Sequence, residues 1–135
     1  MAHARPALRR ARALAVTLGL GLALGCSGTE PDGAGADFVV TVGSESFVLR
    51  STHAETIAQL REAVAGRRGG FPIGPLRRGD GGFNAPWSWH LDPAETRLAE
   101  AAIEVCDGTP SYVEQHLADF PTYCPWGARV TAERR

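Results

Sequence analysis

FNAPWSWHLD, residues 83–92, holds two of the three tryptophans of a 135-residue chain, with a histidine and an acid beside them. Alternation places Trp87, Trp89 and Leu91 on one face of an extended segment, with Ser88 and His90 on the other. Holding that much aromatic surface in water is costly, so the stretch reads as the strand on which a small domain is built. It is entered through Asn84 and Pro86.

Downstream, Asp92-Pro93-Ala94-Glu95 fits two structures. It can open a helix, with Asp92 as N-cap, Pro93 at the first helical position and Glu95 at the third. It can equally be a tight turn into a strand over residues 98–105, with Ala99, Ala101, Ile103 and Val105 facing inward. The alternation favours the strand. Thr109-Pro110 then starts a helix with a capper and a proline, and Val113, His116, Leu117 and Phe120 share its inner face up to Pro121. Cys124-Pro125-Trp126 reads as a rigid corner before a short last strand over residues 128–132.

Upstream, residues 38–42 and 46–50 are β-branched and aromatic runs separated by Gly43-Ser44-Glu45, a hairpin pattern. Thr52 with Glu55 three residues on forms a capping box, Ile57, Leu60 and Val64 mark one helical face, and Gly66 stops the helix. Residues 71–77 read as a strand, with a turn over residues 79–82. The fold expected is a single α+β domain, an antiparallel sheet packed by two helices in the order β-β-α-β-β-β-α-β. The arginine pairs Arg67-Arg68 and Arg77-Arg78 read as solvated loop in preference to an anion site.

The front of the chain is of another kind. An arginine-rich stretch up to Arg12 precedes an apolar run over residues 14–25, too short for an ordinary membrane span, which reads as an export signal. Gly25-Cys26-Ser27 resembles a bacterial lipobox, with Ala23 where leucine is usual. The expected organisation is a lipoprotein signal peptide over residues 1–25, a flexible tether over residues 26–36 and a folded domain over residues 37–135. Cys26 would carry the lipid anchor, and multiple acyl chains hold a protein to a bilayer where one is marginal. This places the chain outside the cytoplasm, on a membrane of the cell envelope. Ser27 is not an acidic retention signal, which is compatible with an outer membrane where there is one.

All 14 basic residues are arginine, and four of them precede the apolar run. The remainder of the chain carries ten arginines against 15 acids, a net charge of −5, which argues against nucleic acid as a partner. With Cys26 used for lipid, Cys106 and Cys124 remain as an even pair in an exported chain, where disulfides persist. Two free buried thiols or half of a zinc site are the other readings, and zinc lacks a C-x-x-C.

Taken together, the blocks N-A-P-W-S-W-H-L-D-P, E-V-C-D, V-E and C-P-W give the chain a resemblance to the BP-seventy-four-type N-terminal domain family, named after a calmodulin-binding protein. The motif positions are Asn84, Trp87, Ser88, His90, Leu91, Asp92 and Pro93, then Glu104, Cys106 and Asp107, then Val113, Glu114, Cys124, Pro125 and Trp126. Ala85 interrupts the Asn-Pro step. The resemblance covers nearly all of residues 38–130 and implies a domain type while leaving its activity open. Calmodulin is not an expected partner for an exported bacterial chain.

Asn84, Trp87, His90, Asp92, Glu104 and Asp107 are the candidate binding residues. His90 with Asp92, Glu104 and Asp107 offers imidazole and carboxylate groups suited to a divalent metal, or to acid–base work near neutrality. The plainer reading makes them turn caps and cross-sheet hydrogen-bond partners. No nucleophile elbow, H-E-x-x-H or phosphate-binding glycine loop accompanies them. The functional expectation is therefore a non-enzymatic module at the envelope that binds a protein, peptide or small ligand beside the tryptophan-rich strand. A metal-binding protein or small metal-dependent hydrolase is the alternative.

Overall fold

The computed structural model describes residues 35–102 and 105–135. Residues 1–34, with the expected signal peptide, Cys26 and most of the expected tether, lie outside the described residues, as do Ile103 and Glu104. β1 (Ala36–Val42) and β2 (Glu45–Ser51) form the expected hairpin, followed by α1 (Ala54–Val64) and β3 (Phe71–Arg78). Then come β4 (Trp89–Leu91), β5 (Arg97–Ala99), α2 (Pro110–Gln115), β6 (Thr122–Tyr123) and β7 (Arg129–Arg134). The order is the expected one with the two-residue β6 added. The first strand begins at Ala36, two residues before the run over residues 38–42 expected to form it.

All strand pairings are antiparallel, and the strands divide between two sheets. In the first, β1 lies between β2 and β7. In the second, β3 is the hub, pairing with β5 through Phe71, Pro72 and Ile73, with β6 through Gly74 and Pro75, and with β4 through Leu76, Arg77 and Arg78. Proline lacks a ladder donor, yet β3 keeps its pairing because the Pro75 carbonyl accepts from Asp92 N at 2.9 Å and Leu76 N donates to the Pro121 carbonyl at 3.0 Å.

The two sheets meet over aromatic rings. Phe47 of β2, Trp89 of β4 and Tyr123 of β6 stand with centroids 5.3–5.6 Å apart, all three buried. Such tilted and edge-to-face contacts suit the ring quadrupoles. Trp89 and Leu91 are fully buried, as the alternation requires, and Trp87 stacks beside Trp89 at 6.2 Å. Asn84, also fully buried, bridges the sheets. Val48 N of β2 donates to its Oδ1 and its Nδ2 donates to the Trp89 carbonyl, both at 2.7 Å.

Three local expectations are corrected. Thr52 does not cap α1, because its amide and hydroxyl both donate to the Pro93 carbonyl, and His53 becomes the N-cap with no side-chain cap bond. The strand expected over residues 98–105 ends at Ala99, whose partner Phe71 is the first residue of β3, so no backbone remains to pair with. Its register is also inverted: Leu98 is buried, while Val105 is wholly exposed. The second helix stops at Gln115 and continues to Phe120 as tighter turns, His116 N to the Val113 carbonyl and Asp119 N to the His116 carbonyl. Val113 and Phe120 are still buried on its inner face.

Other local expectations are met. α1 ends in a Schellman arrangement, with Gly66 at φ 70°, Gly66 N on the Ala63 carbonyl and Arg67 N on the Glu62 carbonyl. Thr109 caps α2 by accepting from Tyr112 N, with Pro110 in the first turn. Cys106 and Cys124 form the disulfide, with Cα atoms 5.1 Å apart and both residues buried.

Replacing Asn84 by alanine strands the Val48 amide and the Trp89 carbonyl in the core. At about 1–3 kcal/mol for each unpaired group, the variant is expected to lose about 2–6 kcal/mol. Urea denaturation at equilibrium measures it. The double variant Cys106→Ser, Cys124→Ser is expected to lose on the order of 3 kcal/mol by the loop-closure argument.

Candidate functional site

The polar residues of the tryptophan-rich motif are held by neighbours of their own. His90 Nδ1 meets the Gly79 carbonyl at 2.7 Å, and its ring stands edge-on to Phe83 at 5.4 Å. Asp92 has two tasks at once. Its Oδ2 accepts from Arg77 Nε at 2.9 Å and its Oδ1 from Ala94 N at 2.9 Å, closing the turn that carries Pro93. Arg77 also reaches Glu95 at 3.2 Å. The Arg77 hydrogen bond, then the Ala94 amide, hold the Asp92 carboxyl below the usual range. That turn docks on the start of α1 through Thr52, and His53 Nε2 contacts the Ala94 carbonyl.

Asp107 lies elsewhere, its Oδ1 accepting from Trp126 N at 2.9 Å. Trp87 donates its indole N–H to the Ser46 carbonyl at 2.9 Å, and Asn84 is the buried bridge already described. Among the described residues no three of the histidines, cysteines and acids stand together as a metal site would require. Of the candidate residues, then, Asn84 and Trp87 belong to the sheet junction, His90 to the loop at Gly79, Asp92 to a turn and Asp107 to the Trp126 corner.

Ser88 and Glu114, also in these motifs, meet each other. Ser88 donates through N and Oγ to the two oxygens of Glu114, at 3.0 and 2.6 Å. Glu45 grips α2 from the other sheet in the same way, accepting from Ser111 N at 2.7 Å and Ser111 Oγ at 2.6 Å. A carboxylate on the first-turn amides of a helix suits both their unpaired donors and the dipole.

A concave surface lies on another part of the molecule. A cleft of about 810 Å³ opens between the end of α1, residues 68–71, residues 100–102 and the beginning of β7. Small residues make the room: Ala63, Gly69, Gly70, Ala101, Ala102 and Ala128 all line it. Gly70 has φ 107°, and a Cβ there would stand 2.7 Å from the Ala99 carbonyl oxygen, so the chain turns into β3 only with glycine at this place. Val64, Phe71, Trp126 and Val130 supply the apolar walls, while Arg68, Arg129 and Glu100 supply charge. Trp126 is 53% exposed and Val64 is 37% exposed. Helical periodicity assigns Val64 to the buried face of α1; the last turn of the helix overhangs the cleft instead.

This site is hard to see in the sequence. Trp126 stands out there only as part of a corner and Arg68 only as part of a wet loop. Alanine and glycine announce no chemistry, and the one available signal is a tryptophan after Cys-Pro with no helical or strand face to place it in the core.

The family model of the BP-seventy-four N-terminal domain matches residues 34–135. The chain belongs to this family. The match spans β1 to the end of β7, so the BP-seventy-four N-terminal domain is the whole folded unit described above. No curated protein and no solved structure is significantly similar to the chain.

Asp92 gives a pH-dependent readout of its turn. A carboxyl with a lowered folded pKa contributes stability that is complete above the unfolded value, roughly 3.9, and is lost as pH falls through the folded one. Arg77→Met removes the largest cause of the shift. NMR titration of the Asp92 side chain is expected to show its midpoint rising toward the ordinary value in the variant, and the turn opening at higher pH than in the wild type.

Proposed function

We infer that this BP-seventy-four N-terminal domain is a non-enzymatic binding module, tethered to a membrane of the bacterial envelope through lipid on Cys26. The observation that carries the binding role is the cleft. Its size falls in the range of small-ligand sites, it combines apolar walls with a few polar groups, and it leaves a tryptophan half-exposed. The tryptophan-rich strand, by contrast, is occupied in joining the two sheets. The envelope address rests on the arginine-rich and apolar leader, on Gly25-Cys26-Ser27, and on a disulfide of the kind that persists outside the cytoplasm.

Catalysis draws less support. His90, Asp92 and Asp107, the groups that would do acid–base or metal chemistry, are each directed into separate hydrogen bonds. A general base needs its partner within hydrogen-bond reach.

Three measurements test the reading. Screening the purified protein against a fragment library by amide NMR is expected to give shifts at Gly69, Gly70, Ala101 and Trp126, with Asn84 and His90 unmoved. A stoichiometric metal that survives purification and disappears in His90→Ala would instead support the metal alternative. Mass spectrometry of the protein extracted from membranes is expected to show acyl chains on an N-terminal Cys26, and an unmodified Cys26 would remove the anchor.

A further inference from the structure

The two arginines of the cleft lack the short ion pairs that hold several arginines elsewhere on the surface. Arg50 pairs with Asp37 at 2.6 Å, Arg61 with Glu133 at 2.8 Å and Arg67 with Glu62 at 2.6 Å, each a closed, charge-assisted hydrogen bond. Arg68 approaches Glu100 only to 3.8 Å, beyond hydrogen-bond distance, and Glu100 is itself largely exposed. Arg129, on the first position of β7, has no ion pair among the described residues. Both residues line the same cleft as Phe71, Trp126 and Val130.

We propose that the cleft binds a small amphiphilic carboxylic acid, its carboxylate taken by Arg68 and Arg129 and its apolar body laid against Trp126, Phe71 and Val130. The inference rests on the binding role assigned to the cleft and names the chemistry of its ligand. Two cations with open hydrogen-bonding capacity beside an apolar wall are complementary to one anion on an apolar body. Guanidinium suits a carboxylate because its planar fork matches both oxygens. A body of drug-like size is consistent with the volume of about 810 Å³. A bilayer, being flat, would not reach the floor of a concave site.

Glu100 has a defined part in this arrangement. Its carboxylate stands in front of Arg68 without closing on it, so an incoming carboxylate displaces a long contact and not a short one. Glu100 also repels the ligand, since two carboxylates cannot share the arginine without cost. Removing its charge strengthens binding.

The test uses 4-phenylbutyrate and 4-phenylbutyramide, a pair that differs in charge and hardly in shape, titrated into the purified protein with amide and Trp126 indole NMR as readout. The acid is expected to shift Gly69, Gly70 and the Trp126 indole, and the amide to bind about tenfold more weakly, the difference expected of a charge-assisted hydrogen bond. Arg68→Gln and Arg129→Gln are each expected to weaken the acid about tenfold and leave the amide unchanged. Glu100→Gln is expected to tighten the acid several-fold. All three positions are at the surface, and unchanged thermal unfolding verifies that the variants fold. Equal affinity for acid and amide, with shifts at the cleft, would overturn the carboxylate and leave the binding role standing. If neither compound moves the cleft resonances while an acetylated acidic-aromatic pentapeptide does, the occupant is a peptide and the small acid is wrong. If none of the three moves them, the binding role of the cleft fails as well.

Discussion

The amide side chain of Asn84 supports this fold in a way no apolar residue could. It is fully buried, accepts from Val48 N of β2 and donates to the carbonyl of Trp89 in β4. Those two backbones belong to different sheets, and only a group with a donor and an acceptor on one short stem can serve both. Buried backbone groups must be paired, so the position admits little besides asparagine. The bridge also sets the aromatic packing, because Val48 follows Phe47 and Trp89 is itself the acceptor. Asn84 is in turn fixed by its own backbone, its N on the Asp80 carbonyl and its carbonyl receiving Trp87 N.

The same logic explains the short second helix. Six residues are too few for a helix to stand alone in water. α2 is held by Glu45 on Ser111, by its own Glu114 on Ser88, and by the buried Val113. Tyr123 secures the approach to it, donating its hydroxyl to the Gly108 carbonyl. Burial pushes the pKa of that phenol far above its ordinary value, which favours the protonated form that donates this hydrogen bond. His90, Asp92 and Asp107, which look like a reactive constellation in the sequence, are likewise occupied, at the Gly79 carbonyl, in the Asp92 turn and at the Trp126 corner. This is a physical reason to look for function elsewhere.

Which features are legible in the sequence depends on the kind of signal involved. The hairpin, the buried alternation of Trp89 and Leu91, the Gly66 stop and the Thr109-Pro110 start are local patterns, and they survive folding because their causes are local. The Thr52 cap does not form because a distant carbonyl, that of Pro93, claims the same hydroxyl. The strand does not run beyond Ala99 because strand length is decided by the partner, and β3 begins opposite at Phe71. Neither competitor is visible within a window of neighbouring residues. His90, Asp92 and Asp107 group together by chemical type, yet the turn at Asp92 and the corner at Trp126 carry them apart.

The cleft is concealed for a different reason: it is made by what is missing from the side chains. Gly70 brings the chain within contact of the Ala99 carbonyl, and the alanines at 63, 101, 102 and 128 leave its walls without bulk. A concave, partly apolar surface next to a half-exposed indole leaves apolar area in contact with water, and a core built as tightly as the Phe47, Trp89 and Tyr123 group shows that this sequence can fill space elsewhere. Trp126 is also prevented from collapsing inward. Cys124, two residues before it, is held to Cys106 by the disulfide and by a backbone hydrogen bond of 2.8 Å, and Trp126 N is held by Asp107. The corner therefore works as a rigid wall, and the rigidity that keeps the indole out of the core keeps the cleft open beside it.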